Sequence, residues 1–277
     1  MANFAREVFA VTVNELILKS SDFISSSKEN LIDEQTAANE GFADLRIFEA
    51  PIFGFGSPDD SLFEKFASPE VVSKGFLAPR QWLDCAKTVV SLFLPYSQGI
   101  KISNARDFSW PSEIWLRARY EGQAFIWEFA KYLCGLFEEH GAKSVIPGAD
   151  PRFKSGEGSN RYTSNWSERH VAYACGLGTF GLSKGLITEK GTCGRFCSIV
   201  TELDFPKSER NYTGVYDYCN KCGDCIRNCP AGAVSYKESK NDLLCSDFVD
   251  AVLNKHKPRY GCGKCQVGVS CENKIPK

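Results

Sequence analysis

"ACGLGTFGLSKG", residues 174–185, contains G-x-G-x-x-G, the spelling of a dinucleotide-binding turn. That reading needs a strand before the glycines, a helix after them and an acidic residue about twenty positions on. Here the order is reversed. Asn165 and Glu168 have capping-box spacing, which predicts a helix from there to about Cys175. Downstream, "GLIT" and "RFCSIVTELDF" read as a pair of antiparallel strands. Neither Glu189 nor Glu202 ends a plausible second parallel strand. The nucleotide reading therefore falls away. The glycines either turn a helix into a strand or let backbone approach some other broad partner.

Working outward, residues 4–19 carry apolar side chains at helical spacing, and a polar stretch to Gly41 follows, part loop and part helix. "IFEAPIFGFGSPDD" reads as an ordered loop or edge strand, and "KTVVSLFLPYS" as a buried strand bounded by Pro95. A long helix is predicted over "PSEIWLRARYEGQAFIWEFAKYLCGLFEEHG", with Pro111 in its first turn and Gly141 closing it. Ile126, Phe129, Leu133 and Leu136 form its core stripe. "KSVIPG" is a returning strand, and the polar loop over 147–164 has the length of a functional segment. The pattern is α+β over residues 1–210, followed by a cysteine-rich module over 211–277.

Eight of the thirteen cysteines crowd into residues 219–271. Cys219, Cys222, Cys225 and Cys229 stand as C-x2-C-x2-C-x3-C-P, the bacterial ferredoxin run for a [4Fe–4S] cluster. Structural zinc is the alternative, but zinc sites pair C-x2-C units across a longer gap. A second cluster needs four more thiolates, and Cys245, Cys262, Cys265 and Cys271 supply them. In such runs the fourth cysteine ligates the other cluster. Cys219, Cys222, Cys225 and Cys271 then hold one cubane, and Cys229, Cys245, Cys262 and Cys265 the other. Five residues separate Cys271 from Cys265 and no proline follows it directly, so an unligated thiol or a three-cysteine cluster stays open there. Cys85, Cys134, Cys175, Cys193 and Cys197 are scattered and read as small buried hydrophobes; "CGRFC" lacks the C-x-x-C spacing of a redox pair.

The formal net charge of −1 argues against a dominant electrostatic grip on nucleic acid or an anionic membrane. The N-terminus has no signal-peptide pattern, and no apolar run approaches the ~20 residues that span a bilayer. With clustered cysteines and no signal, a cytoplasmic protein with metal-bound thiolates is expected.

"SERHVAYACGLGTFGLSKGLIT", then "CNKCGDCIRNCP", Cys245 and "YGCGKCQ", resemble in this order the cobalamin-dependent iron–sulfur reductases, a family that includes epoxyqueuosine reductase and the reductive dehalogenases. The likeness is clearest from about residue 145 to 271, and "LAPRQWLDCAKTVVSLFLPYS" extends it faintly upstream. It implies a nitroreductase-like domain carrying a base-off cobalamin, with a ferredoxin-like two-[4Fe–4S] module packed against it. Gly176, Gly178, Thr179, Phe180 and Gly181 would lie against the corrin ring. Flavin on the same fold is the alternative cofactor. None of His140, His170 and His256 sits in a D-x-H-x-x-G corrinoid motif.

Epoxyqueuosine reductases carry an Asp proton donor six residues before the Glu that matches Glu168; here that position is Tyr162. Reductive dehalogenases use a Tyr, so Tyr162 is the expected donor, with Arg152, Lys154 or Arg161 easing the transfer and Glu157 an outside candidate. The chain ends soon after the expected clusters and its net charge is not basic, which weakens the tRNA reading without excluding it and favours a small-molecule substrate. The missing twin-arginine signal weakens a respiratory dehalogenase. A low-potential ferredoxin or flavodoxin is the expected electron donor. A corrinoid-reducing electron carrier without substrate chemistry is the competing reading.

Overall fold

A computed structural model describes residues 11–156 and 162–277. At its centre runs β2 (Thr88–Pro95), in which every residue is buried. β1 (Ile52–Gly56) pairs antiparallel with one side of β2, from Ile52↔Phe93 to Gly56↔Val89. On its other side lies β6 (Gly194–Thr201), from Thr88↔Thr201 to Pro95↔Gly194. The short β3 (Ser144–Val145) closes the far edge, giving the order β1-β2-β6-β3. The Gly- and Pro-rich 47–60 segment thus supplies an edge strand, as its composition suggested. A separate ribbon joins β4 (Gly178–Phe180) to β5 (Leu186–Thr188), and β7 (Val234–Ser235) pairs with β8 (Ser239–Lys240).

Helices α1 (Val13–Ser26), α2 (Glu34–Asn39), α3 (Ser61–Phe66), α4 (Pro79–Trp82) and α5 (Gln98–Ala105) precede the long α6 (Glu113–Glu139). After it come α7 (Glu168–Ala174), α8 (Asp224–Arg227) and α9 (Asp242–His256). The apolar run of β2 is explained by what covers it. Val90, Leu92 and Leu94 join Cys197 and Ile199 of β6 in a core with Ile126, Phe129, Ala130 and Leu133 of α6. The alternate residues Val89 and Val200 face the opposite layer, with Phe63, Phe66, Trp82, Trp166 and Val171. Period-two alternation therefore carries apolar side chains to both faces, and an antiparallel strand reads as continuous hydrophobe.

Several local expectations change. Of the helix expected over residues 4–19, residues 4–10 lie outside the described residues; within the described residues α1 starts at Val13, where Thr12 Oγ1 accepts from Glu15 N. Pro111 lies just before α6 rather than in its first turn; Ser112 caps the helix, its hydroxyl accepting from Trp115 N at 3.1 Å. "GLIT" pairs with β4 rather than with β6. The helix after Asn165 forms, but not through a capping box. Asn165 instead accepts from Lys154 N and donates to Arg152 O, bracing the preceding loop. Among the described residues no helix is long and apolar enough to cross a membrane. Glu157 and Arg161 lie outside the described residues.

Candidate functional site

The cysteine run is shaped by backbone that only short or flexible residues adopt easily. Gly223 has φ +82° and caps α8, and Lys221 beside it has φ +56°. This left-handed turn folds the chain tightly between Cys222 and Cys225. Asp224 then reaches across to the C-terminal segment: its Oδ2 accepts from Ser270 N at 2.8 Å and from Ser270 Oγ at 2.5 Å. Asn228 Nδ2 donates to Val267 O and Gly268 O. Four hydrogen bonds thus staple residues 267–270 to the run and bring Cys271 beside it.

The electrostatics place both sets of cysteines close together. Burial first, then the neighbouring Cys225, Cys219 and Cys222, push the Cys271 thiol up to about 12. Cys225 rises to about 12 through burial, then Cys265, Cys219 and Cys222. In the second group, burial raises Cys262 to about 12, with Cys265 and Cys245 adding to it. Cys265 is raised by burial, with Cys245 and Cys229 contributing. Thiolates gathered so closely repel, so they ionise together only when cations compensate, and the donor set suits a thiophilic metal cluster. Among the described residues no group of three or more His, Cys, Asp or Glu closes on a single ion position.

The glycine stretch packs against the chain itself. Gly176 has φ +85°, and a Cβ there would lie 3.1 Å from Ser208 and Glu209. At Gly178 a Cβ would overlap the carbonyl of Ile187 on the paired strand. Phe180 N donates to Val215 O at 2.8 Å, and Thr179 Oγ1 accepts from Tyr218 N at 2.8 Å. A Cβ on Gly181 would meet Ile187 at 3.3 Å and Cys219 Sγ at 3.7 Å. The stretch is a dock for the segment that leads into Cys219. The bare backbone face expected to meet a corrin ring is filled by Ser208, Glu209 and Ile187, so these residues do not offer a macrocycle its cradle.

Tyr162 stands against the cysteine module. Lys240 Nζ lies 5.2 Å from its ring centroid. Burial, then Cys245, which hydrogen-bonds its hydroxyl, and the acids Asp242 and Asp250 hold its proton above the usual tyrosine range. Lys240 is the cation here. Arg152, expected to help, is instead bound to Asp150 at 2.8 Å and stacked 5.0 Å from the Trp82 ring.

Glu168 carried only a capping role in the local sequence pattern. Its side chain turns inward, where Ser198 Oγ donates to Oε2 at 2.7 Å and itself accepts from Trp166 Nε1 at 2.9 Å. Oε1 is buried without a hydrogen-bond partner. Burial raises its pKa to about 7, against the opposing pull of Ser198 and Arg195. A carboxyl balanced at neutral pH can give or take a proton. The signal for it was absent locally, because Ser198 lies 30 positions away.

Cys175, Cys193 and Cys197 are fully buried core residues, as expected of isolated cysteines, and Cys134 is partly buried. Cys85 departs from that expectation: it is exposed, and its thiol bonds Glu202 at 2.7 Å. Two clefts of about 350 and 430 Å³ lie elsewhere, lined by residues such as Arg46 and Phe48, and Asp33 and Arg117, and contain none of the expected site residues.

No family model matches the chain. Over 115 residues, 38% of its length, it is 30% identical to the epoxyqueuosine reductase of Listeria monocytogenes, and the match spans 29% of that protein. Among solved structures, the epoxyqueuosine reductase of Streptococcus thermophilus superposes with a TM-score of 0.51 at 16% identity, over 96% of this chain and 68% of that one. The catabolic reductive dehalogenase NpRdhA, bound to 3-bromo-4-hydroxybenzoic acid, gives 0.51 at 14% identity, over 95% and 37%. The resemblance read from the motifs is borne out: over 115 residues the chain is similar in sequence to an epoxyqueuosine reductase, and it has the mixed α/β fold that such enzymes share with reductive dehalogenases.

Proposed function

We propose that the protein is an oxidoreductase that passes electrons singly through two [4Fe–4S] clusters to a substrate bound beside them. Cys219, Cys222, Cys225 and Cys271 would ligate one cubane, and Cys229, Cys245, Cys262 and Cys265 the other. The observation that carries this reading is the placement of Cys271 among the first three cysteines of the run, held by Asp224 and Ser270. Cys222 is exposed, which suits entry of electrons from an external low-potential donor such as ferredoxin or flavodoxin. The cysteine segment would be a ferredoxin-like module and the preceding sheet a nitroreductase-like domain.

Tyr162 would deliver a proton to the reduced substrate. It keeps its own proton at neutral pH, as a general acid must, and Lys240 is placed to ease the charge left behind. Glu168 is the second protonatable group. Cobalamin is the further cofactor that kinship implies, and its role would be to supply low-valent cobalt chemistry. The glycine stretch does not fit it, so no step is assigned to it here. Both tRNA and small molecules stand as substrate classes.

Anaerobic reconstitution with iron, sulfide and cobalamin tests the reading. Retained cobalt that is reduced when the clusters are reduced supports a cobalamin-dependent reductase; a chain that reconstitutes its clusters and retains no cobalt refutes the corrinoid component. Tyr162→Phe separates enzyme from carrier. Loss of turnover with cluster reduction intact is expected, and unchanged turnover removes Tyr162 from the reaction.

A further inference from the structure

Where α6, α7 and β6 meet the cysteine module, three arginines converge. Arg119 comes from α6, Arg169 from α7 and Arg195 from β6. Each is oriented by neutral groups. Arg119 Nη2 donates to Tyr260 Oη at 3.1 Å, with its guanidinium 4.6 Å from that ring. Arg195 Nη2 donates to Gln123 Oε1, one turn along α6 from Arg119. Arg169 Nη1 donates to Lys184 O at 3.3 Å. Among the described residues none of the three pairs with a carboxylate, whereas Arg106, Arg117, Arg152 and Arg259 all do.

A second observation lies alongside. Tyr96 is 1% exposed and Trp115 3%, their rings 5.0 Å apart, and neither Tyr96 Oη nor Trp115 Nε1 has a hydrogen-bond partner. Tyr96 follows Pro95, the last residue of β2, and neighbours Arg195, whose guanidinium offers the phenol O–H no acceptor. Buried polar groups in native interiors are nearly always satisfied. Here the Tyr96 phenol O–H lies beside the Arg195 guanidinium, with Arg119 nearby, and all are donors. What they lack in common is an acceptor with several lone pairs and negative charge.

We propose that Arg119, Arg169 and Arg195 form a binding site for an oxyanion, a carboxylate or phosphate group, carried by the molecule that occupies the junction beside the clusters. This deepens the proposed function and rests on it for the identity of the junction as the reducing site. The guanidinium fork matches either group bidentately. Burial first, then the neighbouring Arg119 and more weakly Arg169, lower Arg195 to about 10, and an entering anion relieves that repulsion. Arg169 stays solvent-accessible, so a ligand can reach the cluster of charges. The oxyanion belongs either to the substrate or to the phosphate of a bound cofactor.

The test uses the protein reconstituted anaerobically with iron and sulfide, titrated with 4-fluorobenzoate by fluorine NMR and with inorganic phosphate by calorimetry. Arg119→Gln and Arg195→Gln are expected to weaken binding of at least one probe by about tenfold or more, with iron content unchanged. Arg195→Lys, which keeps the charge but loses the fork, should fall between, and Arg117→Gln should match wild type. Preloading with cobalamin divides the sources: abolished probe binding assigns the site to a cofactor phosphate, and retained binding to the substrate. Equal affinity in wild type and both glutamine variants overturns the proposal, as does a wild-type protein that binds neither probe. Arginine-dependent binding in a chain that retains no cobalt refutes the corrinoid reading alone and leaves the oxyanion site standing.

Discussion

Glu168 shows how one buried side chain ties this protein to pH. Its carboxyl titrates at about 7 in the folded chain, against 4.5 for an ordinary glutamate. From pH 4.5 to 7 the unfolded chain loses this proton while the folded chain keeps it, so the Glu168 contribution to stability falls as pH rises through that window. The shift is large enough for a loss on the order of 2 kcal/mol after discounting for its partial access to solvent. Glu168→Gln keeps an acceptor for Ser198 and removes the titration. Urea melts at pH 5 and pH 8 should show a smaller loss for the variant; an identical pH dependence would mean that Glu168 is ionised in the fold. A second prediction at this scale concerns Cys271. Cys271→Ala should lower bound iron and leave the Cys229, Cys245, Cys262 and Cys265 cluster in place, whereas unchanged iron content would make Cys271 a bystander.

At the scale of elements, the β4–β5 ribbon depends on a missing side chain. Gly178→Ala places a methyl into the carbonyl of Ile187 and must part the strands that dock the cysteine segment. It should cost on the order of 3 kcal/mol, read from denaturant midpoints. Gly141, also at positive φ but with open space around it, should lose only about 1 kcal/mol on the same change. Equal costs would mean that conformation alone, not close approach, selects glycine at 178. The comparison also marks what sequence could reveal. Helix-before and strand-after were legible around Gly176 and Gly178 because both are local patterns. The partner of β5 was not, since pairing with β4 or β6 depends on a turn at Gly181–Gly185 that spacing does not resolve. The cysteine run was equally visible as a pattern, because Cys219, Cys222, Cys225 and Cys229 lie within eleven consecutive residues. Arg119, Arg169 and Arg195 were invisible as a group because three separate elements bring them together, and Glu168 was misplaced because its hydrogen-bonding partner lies on β6.

At the scale of the whole molecule, the sheet and the cysteine module are one hydrogen-bonded body rather than beads on a linker. Thr192 N donates to Cys271 O, Lys264 Nζ bonds Asn104 O and Oδ1, and Phe180 N bonds Val215 O. Cluster assembly should therefore stabilise the sheet domain as well, because anything bound only by the folded state shifts the folding equilibrium. Reconstituted protein should melt at a higher temperature than the metal-free chain when followed by Trp fluorescence, which reports Trp82 and Trp166 in the sheet core; coincident melts would mean that the module folds without coupling to the sheet. The most direct test of the account is iron and acid-labile sulfide per chain after anaerobic reconstitution. The account predicts about eight of each, with the spectrum of two [4Fe–4S] clusters; about four, or zinc in their place, would contradict it.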